Sequence, residues 1–122
     1  VSDFKSKKIE NKKIKKSDEI KLELEKTTDI LGYVSKHNSL RPKLVIGFAA
    51  ETGELEKNSK IKLTEKNCDW IIANDVSRSD IGFNSDMNEV TIYSNDKVEK
   101  IKKNKKSIIA KAIVQKLIKH LN

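Results

Sequence analysis

The chain has 122 residues, 36% of them hydrophobic, which suits one compact domain and not comfortably two. Lys and Arg number 26 against 18 Asp and Glu, a formal net charge of +8. Apolar runs such as Leu44–Ala50 fall far short of the roughly 20 residues of a membrane span, so no membrane-spanning helix and no membrane partner are expected. A single cysteine, Cys68, excludes a disulfide framework and a Cys-rich zinc site, and fits a reducing compartment. Two histidines, His37 and His120, are too few for a dedicated transition-metal site. The first 20 residues are Lys-rich with no apolar segment, so no secretory signal is expected and the setting reads as cytoplasmic.

Positive charge is concentrated at the two ends. Residues 1–17 carry +5, residues 97–122 carry +8, and residues 18–96 carry −5. Such ends suit a phosphate-bearing partner. Only Arg41 and Arg78 are arginine, however, and base-edge recognition favours arginine, so sequence-specific DNA binding is not expected. For the C-terminal cluster, lysines that merely solvate a surface are the favoured reading.

In chain order, residues 9–24 hold isolated apolar side chains among charges. The period-two spacing of Ile20, Leu22 and Leu24 predicts a strand in a polar β-hairpin turning near Ser17-Asp18, a mobile flap over about residues 5–26. Thr27-Thr28-Asp29 offers capping chemistry before a short helix at Ile30, Leu31, Tyr33 and Val34, ended by Arg41-Pro42. Leu44–Ala50 is a continuous apolar run, as expected of a strand buried on both faces of a parallel sheet. Glu51–Lys66 reads as a polar helix with Leu55 and Leu63 as its thin apolar face. Trp70–Ala73 reads as a second buried strand ending in Asn74-Asp75. Residues 81–86 are turn-rich, and Glu89–Ser94 alternates as an edge strand would. Ile109, Ile113, Leu117 and Leu121 fall at i, i+4 spacing, with Val114 and Ile118 beside them, an amphipathic helix. The order defines an α/β fold: a Rossmann-like three-layer αβα arrangement around a mostly parallel sheet, plus the hairpin flap.

Open sheets of this kind take ligands at the carboxyl ends of their strands. That directs attention to Phe48-Ala49-Ala50-Glu51-Thr52 and Ala73-Asn74-Asp75-Val76-Ser77. Asn74 and Asp75 either project into the crevice or simply cap the turn, and spacing does not separate the two. There is no P-loop, GxGxxG, GxSxG or HExxH. Cys68 has no nearby His and reads as a passive residue, and His120 as a solvated residue on the last helical turn.

Five strings come in a telling order: Val1-Ser2-Asp3-Phe4, Lys13-Ile14-Lys15-Lys16, Gly47–Thr52, Ile72–Ser77 and Gly82–Asn88. Together, and over essentially the whole chain, they resemble the C-terminal part of the bacterial phosphopantothenate–cysteine ligase, the synthetase part of the bifunctional coenzyme A biosynthesis (DNA/pantothenate metabolism) flavoprotein. The resemblance implies a ligase that activates 4′-phosphopantothenate with CTP and Mg²⁺ as an acyl-cytidylate. Cysteine's amine then displaces CMP. It also implies a homodimer.

Residue by residue, Asp3 matches the family's nucleotide-contacting Asp, and Lys13 the catalytic flap lysine that would steady charge on the triphosphate. Thr28, Asp29, Ile30 and Leu31 match the nucleotide loop, with Thr28 in place of the family's Pro. Phe48 matches a nucleotide-contacting Phe, and Lys62 and Lys66 match two lysines that reach the triphosphate. No metal ligand is expected from protein side chains, and FMN would belong only to a decarboxylase domain that these residues do not include. The family's glycine-rich first half of the ligase domain is likewise absent, so residues 1–122 read as an excised or truncated C-terminal part holding much of the CTP site, with weak or no turnover alone. The alternative from a different class is a non-enzymatic, Lys-rich domain binding nucleic acid or an anionic surface.

Overall fold

The computed structural model describes residues 2–13, 15 and 20–122. They form two compact units, residues 1–30 and 31–122. In the first, β1 (Phe4–Ser6) pairs antiparallel with β2 (Leu24–Lys26), Phe4 opposite Lys26 and Ser6 opposite Leu24. Two further backbone bonds, Lys7 N to Glu23 O at 2.9 Å and Thr27 N to Asp3 O at 3.0 Å, lengthen the ladder at either end. Its apolar side chains, Ile9, Ile20, Leu22 and Leu24, are all exposed, so backbone pairing rather than a core holds this unit. The turn expected at Ser17-Asp18 lies outside the described residues, as do Val1, Ile14 and Lys16 of the matched strings.

The second unit runs from α1 (Ile30–Ser35), which starts on the last residue of the first, through β3 (Ile46–Glu51), α2 (Leu55–Glu65), β4 (Trp70–Asp75), β5 (Met87–Tyr93) and β6 (Val98–Lys105) to α3 (Lys106–Leu121). The four strands form one sheet in the order β3-β4-β5-β6. β3 and β4 are parallel, joined through α2, whereas β4–β5 and β5–β6 are antiparallel. The result is a Rossmann-like α/β fold with a mixed sheet; where a mostly parallel sheet was expected, β3–β4 is the parallel pair and the other two pairings are antiparallel.

The two-residue period of β4 builds both halves of the core. Ile71 and Ala73 point to one face with Val45, Ala49, Cys68 and Tyr93, and Leu63 of α2 covers them. Trp70 and Ile72 point to the other with Val90 and Ile92, and Ile109, Ile113 and Leu117 of α3 cover that side. Three layers follow directly. Cys68 is a buried thiol within the first cluster, the passive role expected of it. α1 ends at Ser35, six residues before Arg41, which was expected to end it and instead ties down a loop. The Arg41 guanidinium donates to Ser35 O at 2.8 Å, Asn67 O at 3.1 Å and Asp69 Oδ2 at 3.0 Å, and Asp69 Oδ2 also accepts Val45 N–H at 2.6 Å. The loop between α1 and β3 is thereby tied to the start of β4.

Three expectations are corrected. β3 begins two residues later than its apolar run, and only one of its faces is buried: Gly47 and Ala49 are covered, while Phe48 and Ala50 are exposed. Among the described residues β3 is an edge of the four-stranded sheet. β5 is an internal strand rather than an edge, because β6 pairs along it. β6 itself went unforeseen, since Ile101 and Glu99 are its only half-buried residues in a run of lysines. Lysines on an edge strand discourage pairing with other chains.

Four of the nine C-terminal lysines, Lys97, Lys100, Lys103 and Lys116, pair with carboxylates. Glu99 bonds both Lys97 and Lys116, Glu89 bonds Lys100 at 3.0 Å and Arg78 at 2.7 Å, and Asp80 bonds Arg78 at 2.9 Å and Lys103 at 2.8 Å. Lys116 first, then Lys97, hold the Glu99 carboxyl down from its ordinary 4.5 to about 2, against a smaller opposing effect of burial. A carboxylate depressed in the folded state stabilises fully above its unfolded value and loses that contribution as pH falls through the folded one. Stability of Glu99→Gln is therefore expected to vary less than that of the parent between pH 4.5 and about 2. Urea titrations across that window check it, and parallel curves would overturn it.

Candidate functional site

The carboxyl ends of β3 and β4 lie in register, Ala50 beside Asn74 and Glu51 beside Asp75. A crevice opens there between the exposed rings of Phe48 and Phe83, floored by Ala50 and Asn74 and edged by Lys106. Phe48 is 75% exposed, so its ring contributes little to the core and is available to a planar ligand. Asn74 reaches Asn88 Oδ1 at 3.4 Å across the crevice, and Asn88 Oδ1 also accepts Glu89 N–H at 2.9 Å. Asp75 does what a turn requires. Its Oδ1 accepts Ser77 N–H at 2.9 Å and Ser77 Oγ–H at 2.6 Å, and these bonds hold its carboxyl below the usual carboxylate range.

Lys62 is in the last turn of α2, yet its side chain leans back toward the helix start, as side chains on a helix do. Its ammonium meets Glu51 Oε1, at the end of β3, at 2.6 Å. The other oxygen, Oε2, accepts from Asn58 Nδ2 at 3.3 Å, and Asn58 also donates to Gly53 O at 3.0 Å. A cation thus sits at the strand end where sheets of this type take ligands. Lys66 closes α2: its N–H donates to Lys62 O at 2.9 Å, and its carbonyl accepts the Ser35 hydroxyl. Leu31 is half-buried and packs on the core beneath β3, so its side chain serves packing.

Asp3, Lys13, Thr28, Asp29 and Ile30 belong to the first unit, where all five are exposed. Thr28 and Ile30 line a shallow concavity beside Phe4 and Lys26 at the end of the ladder. Leu31, Phe48, Lys62, Lys66, Asn74 and Asp75 belong to the second. Within the second unit, Phe48 and Asn74 share one crevice, and Lys62 stands at the neighbouring end of β3. Sequence reasoning placed Glu51 both in a strand-end string and at the start of a helix, whereas β3 ends on it and α2 starts at Leu55; it placed Asn88 only in a matched string and gave Asn58 and Lys106 no role. For Glu51 the usable signal was a carboxylate placed directly after an apolar strand.

Among the described residues no helix is long and apolar enough to cross a membrane. None of their His, Cys, Asp or Glu side chains form a group of three or more able to hold a metal ion.

A sheet flanked by helices on both faces, with a crevice at the carboxyl ends of β3 and β4, defines a Rossmann-like α/β domain. Residues 1–121 match the family described as the DNA/pantothenate metabolism flavoprotein C-terminal domain, and the chain belongs to that family. It is 41% identical over 97 residues to the coenzyme A biosynthesis bifunctional protein CoaBC of Bacillus subtilis, covering 79% of this chain and 23% of that protein. It is 38% identical over 118 residues to CoaBC of Borreliella burgdorferi, covering 94% of this chain and 29% of that protein. The chain therefore spans less than a third of the curated relatives it matches. Among solved structures, the C-terminal domain of a CoaBC protein superposes with a TM-score of 0.65 at 35% identity, over 82% of this chain and 45% of that one. The DNA/pantothenate metabolism flavoprotein of Streptococcus pneumoniae, 22% identical with a TM-score of 0.61, shares the fold.

Proposed function

We propose that this chain serves coenzyme A biosynthesis as the nucleotide-binding part of a phosphopantothenate–cysteine ligase. In that reaction the carboxylate of 4′-phosphopantothenate attacks the α-phosphorus of CTP and pyrophosphate leaves. The amine of cysteine then attacks the acyl-cytidylate, CMP leaves, and an amide remains. The observation that carries the reading is the carboxyl end of β3, where Phe48 leaves its ring exposed and Glu51, three residues on, holds the ammonium of Lys62 from α2.

Each residue has a task that its chemistry permits. Phe48 offers a face on which a pyrimidine stacks. Lys62 draws the triphosphate to the carboxyl edge of the sheet, and Lys66 and Lys13 are the further lysines that this reading assigns to phosphate. Asp3 accepts hydrogen bonds from ribose hydroxyls or a base amine, while the backbone of Thr28, Asp29, Ile30 and Leu31 contacts the nucleotide. Asn74 stands on the side of the second substrate, and Asp75 holds the turn that follows it. The described side chains do not form a cage for a metal, which fits Mg²⁺ arriving on the phosphates with its waters, the usual habit of this ion. There it would neutralise phosphate charge. Homodimerisation and a cytoplasmic setting belong to the same reading.

The experiment is calorimetric titration of CTP at physiological salt with Mg²⁺, with ATP as control. CTP is expected to bind selectively, and Lys13→Ala to weaken it about 10-fold or more, the value of a hydrogen bond from a charged group. Equal affinity for CTP, ATP and duplex DNA, all falling steeply with salt, would overturn the proposal in favour of a general polyanion binder.

A further inference from the structure

We infer that Glu51 is the positioning residue for Lys62. This inference rests on the nucleotide-binding reading and adds to it the group that aims one of its cations. Four observations carry it. The Glu51 carboxylate is only 12% exposed, whereas Lys62 is 43% exposed, so the acid is the fixed member of the pair and the ammonium the reachable one. Both carboxylate oxygens are occupied, Oε1 by Lys62 and Oε2 by Asn58. Asn58 is itself anchored on Gly53 O, which fixes the carboxylate's orientation. The Glu51 backbone is fixed as well, because its carbonyl accepts Val76 N–H at 2.8 Å at the end of the β3–β4 ladder.

A free lysine side chain samples many rotamers, and ordering it costs conformational entropy. A carboxylate at the strand end holds the ammonium near where phosphate would arrive, so that cost is met before the ligand binds. Only one of the three ammonium protons faces Oε1. The remaining donors are left for phosphate oxygens. Asn58 and Lys62 lie four residues apart on α2, the spacing that puts both on one face, and this is why a single carboxylate can bridge them.

The test compares the parent with Glu51→Ala, Glu51→Gln, Lys62→Ala and the double variant Glu51→Ala/Lys62→Ala. Thermal melting first establishes that each is folded. Without nucleotide, the acylation rate of Lys62, read by peptide mass spectrometry, is expected to rise in Glu51→Ala relative to other exposed lysines. With CTP, Glu51→Ala is expected to weaken binding about 5- to 30-fold in the parent and to add almost nothing once Lys62 is gone. Glu51→Gln, which keeps an acceptor oxygen, is expected to fall between. An unchanged Lys62 acylation rate overturns the inference, as does a Glu51→Ala loss of equal size with and without Lys62. Tighter CTP binding by Glu51→Ala overturns it too, since the carboxylate would then be a competitor for the ammonium. Absence of CTP binding by the parent itself overturns the nucleotide reading and this inference with it.

Discussion

Shortening Ile71 to alanine is expected to cost about 2–5 kcal/mol of folding stability, a large part of the roughly 5–15 kcal/mol that a domain of this size possesses. Ile71 is 1% exposed on the central part of the sheet, hydrogen-bonded through its strand to β3 on one side and β5 on the other. The walls of the resulting cavity cannot collapse readily, because two of them are sheet backbone. Gly47, directly opposite on β3, makes the site unusual. A Cβ placed there would sit 2.7 Å from Ile71 Cδ1 and 2.9 Å from Leu31 Cδ2. Gly47→Ala alone is therefore expected to overpack the core, costing about 1–3 kcal/mol. In the Ile71→Ala background the same methyl group enters the space left by Cδ1. The double variant is expected to be no less stable than Ile71→Ala, and urea denaturation of the four proteins checks this coupling. Additive losses would mean that the contact with Leu31 Cδ2, which survives in the Ile71→Ala background, sets the cost of the methyl group.

The same strands explain what the sequence could and could not reveal. β4 and α3 were legible because each carries its own pattern: four consecutive buried residues, Trp70 to Ala73, in one, and Ile109, Ile113 and Leu117 at helical spacing in the other. β6 was not, because an edge strand needs only one or two apolar contacts, and Ile101 among lysines leaves no period-two signal. The assignment of Glu89–Ser94 to an edge failed for the same reason, since an unseen neighbour cannot be counted. For Leu44–Ala50 the apolar run suggested burial on both faces, but Phe48 and Ala50 are exposed among the described residues. Exposure of a phenylalanine is a tertiary fact that composition does not encode.

The candidate site divides along similar lines. The expectation of a ligand at the ends of β3 and β4 came from topology alone, and Phe48 and Asn74 do share the crevice there. The pairing of Lys62 with Glu51 depends instead on how α2 lies along β3, which places residues eleven apart in sequence at 2.6 Å. Asp75 was open between a substrate role and a turn. Its bonds to Ser77 account for the turn fully, so Asn74 is the residue of the two whose side chain faces the crevice.

Replacing Phe48 by alanine is expected to separate binding from folding. A ring 75% exposed on an edge strand contributes little burial, so the stability change should stay within about 0.5 kcal/mol. CTP affinity is a different matter: stacking of a base on an aromatic side chain is worth about 1–3 kcal/mol, a loss of roughly 5- to 150-fold. Phe48→Leu sharpens the argument, because leucine keeps apolar area in the crevice but has no flat face. It should bind CTP nearly as poorly as alanine does, whereas Phe48→Tyr should retain most of the affinity. Parallel urea and calorimetric titrations decide the matter. Were Phe48→Ala to lose stability and keep CTP, the ring would be a packing element whose exposure among residues 31–122 has another cause, and the crevice would lose its claim to the base.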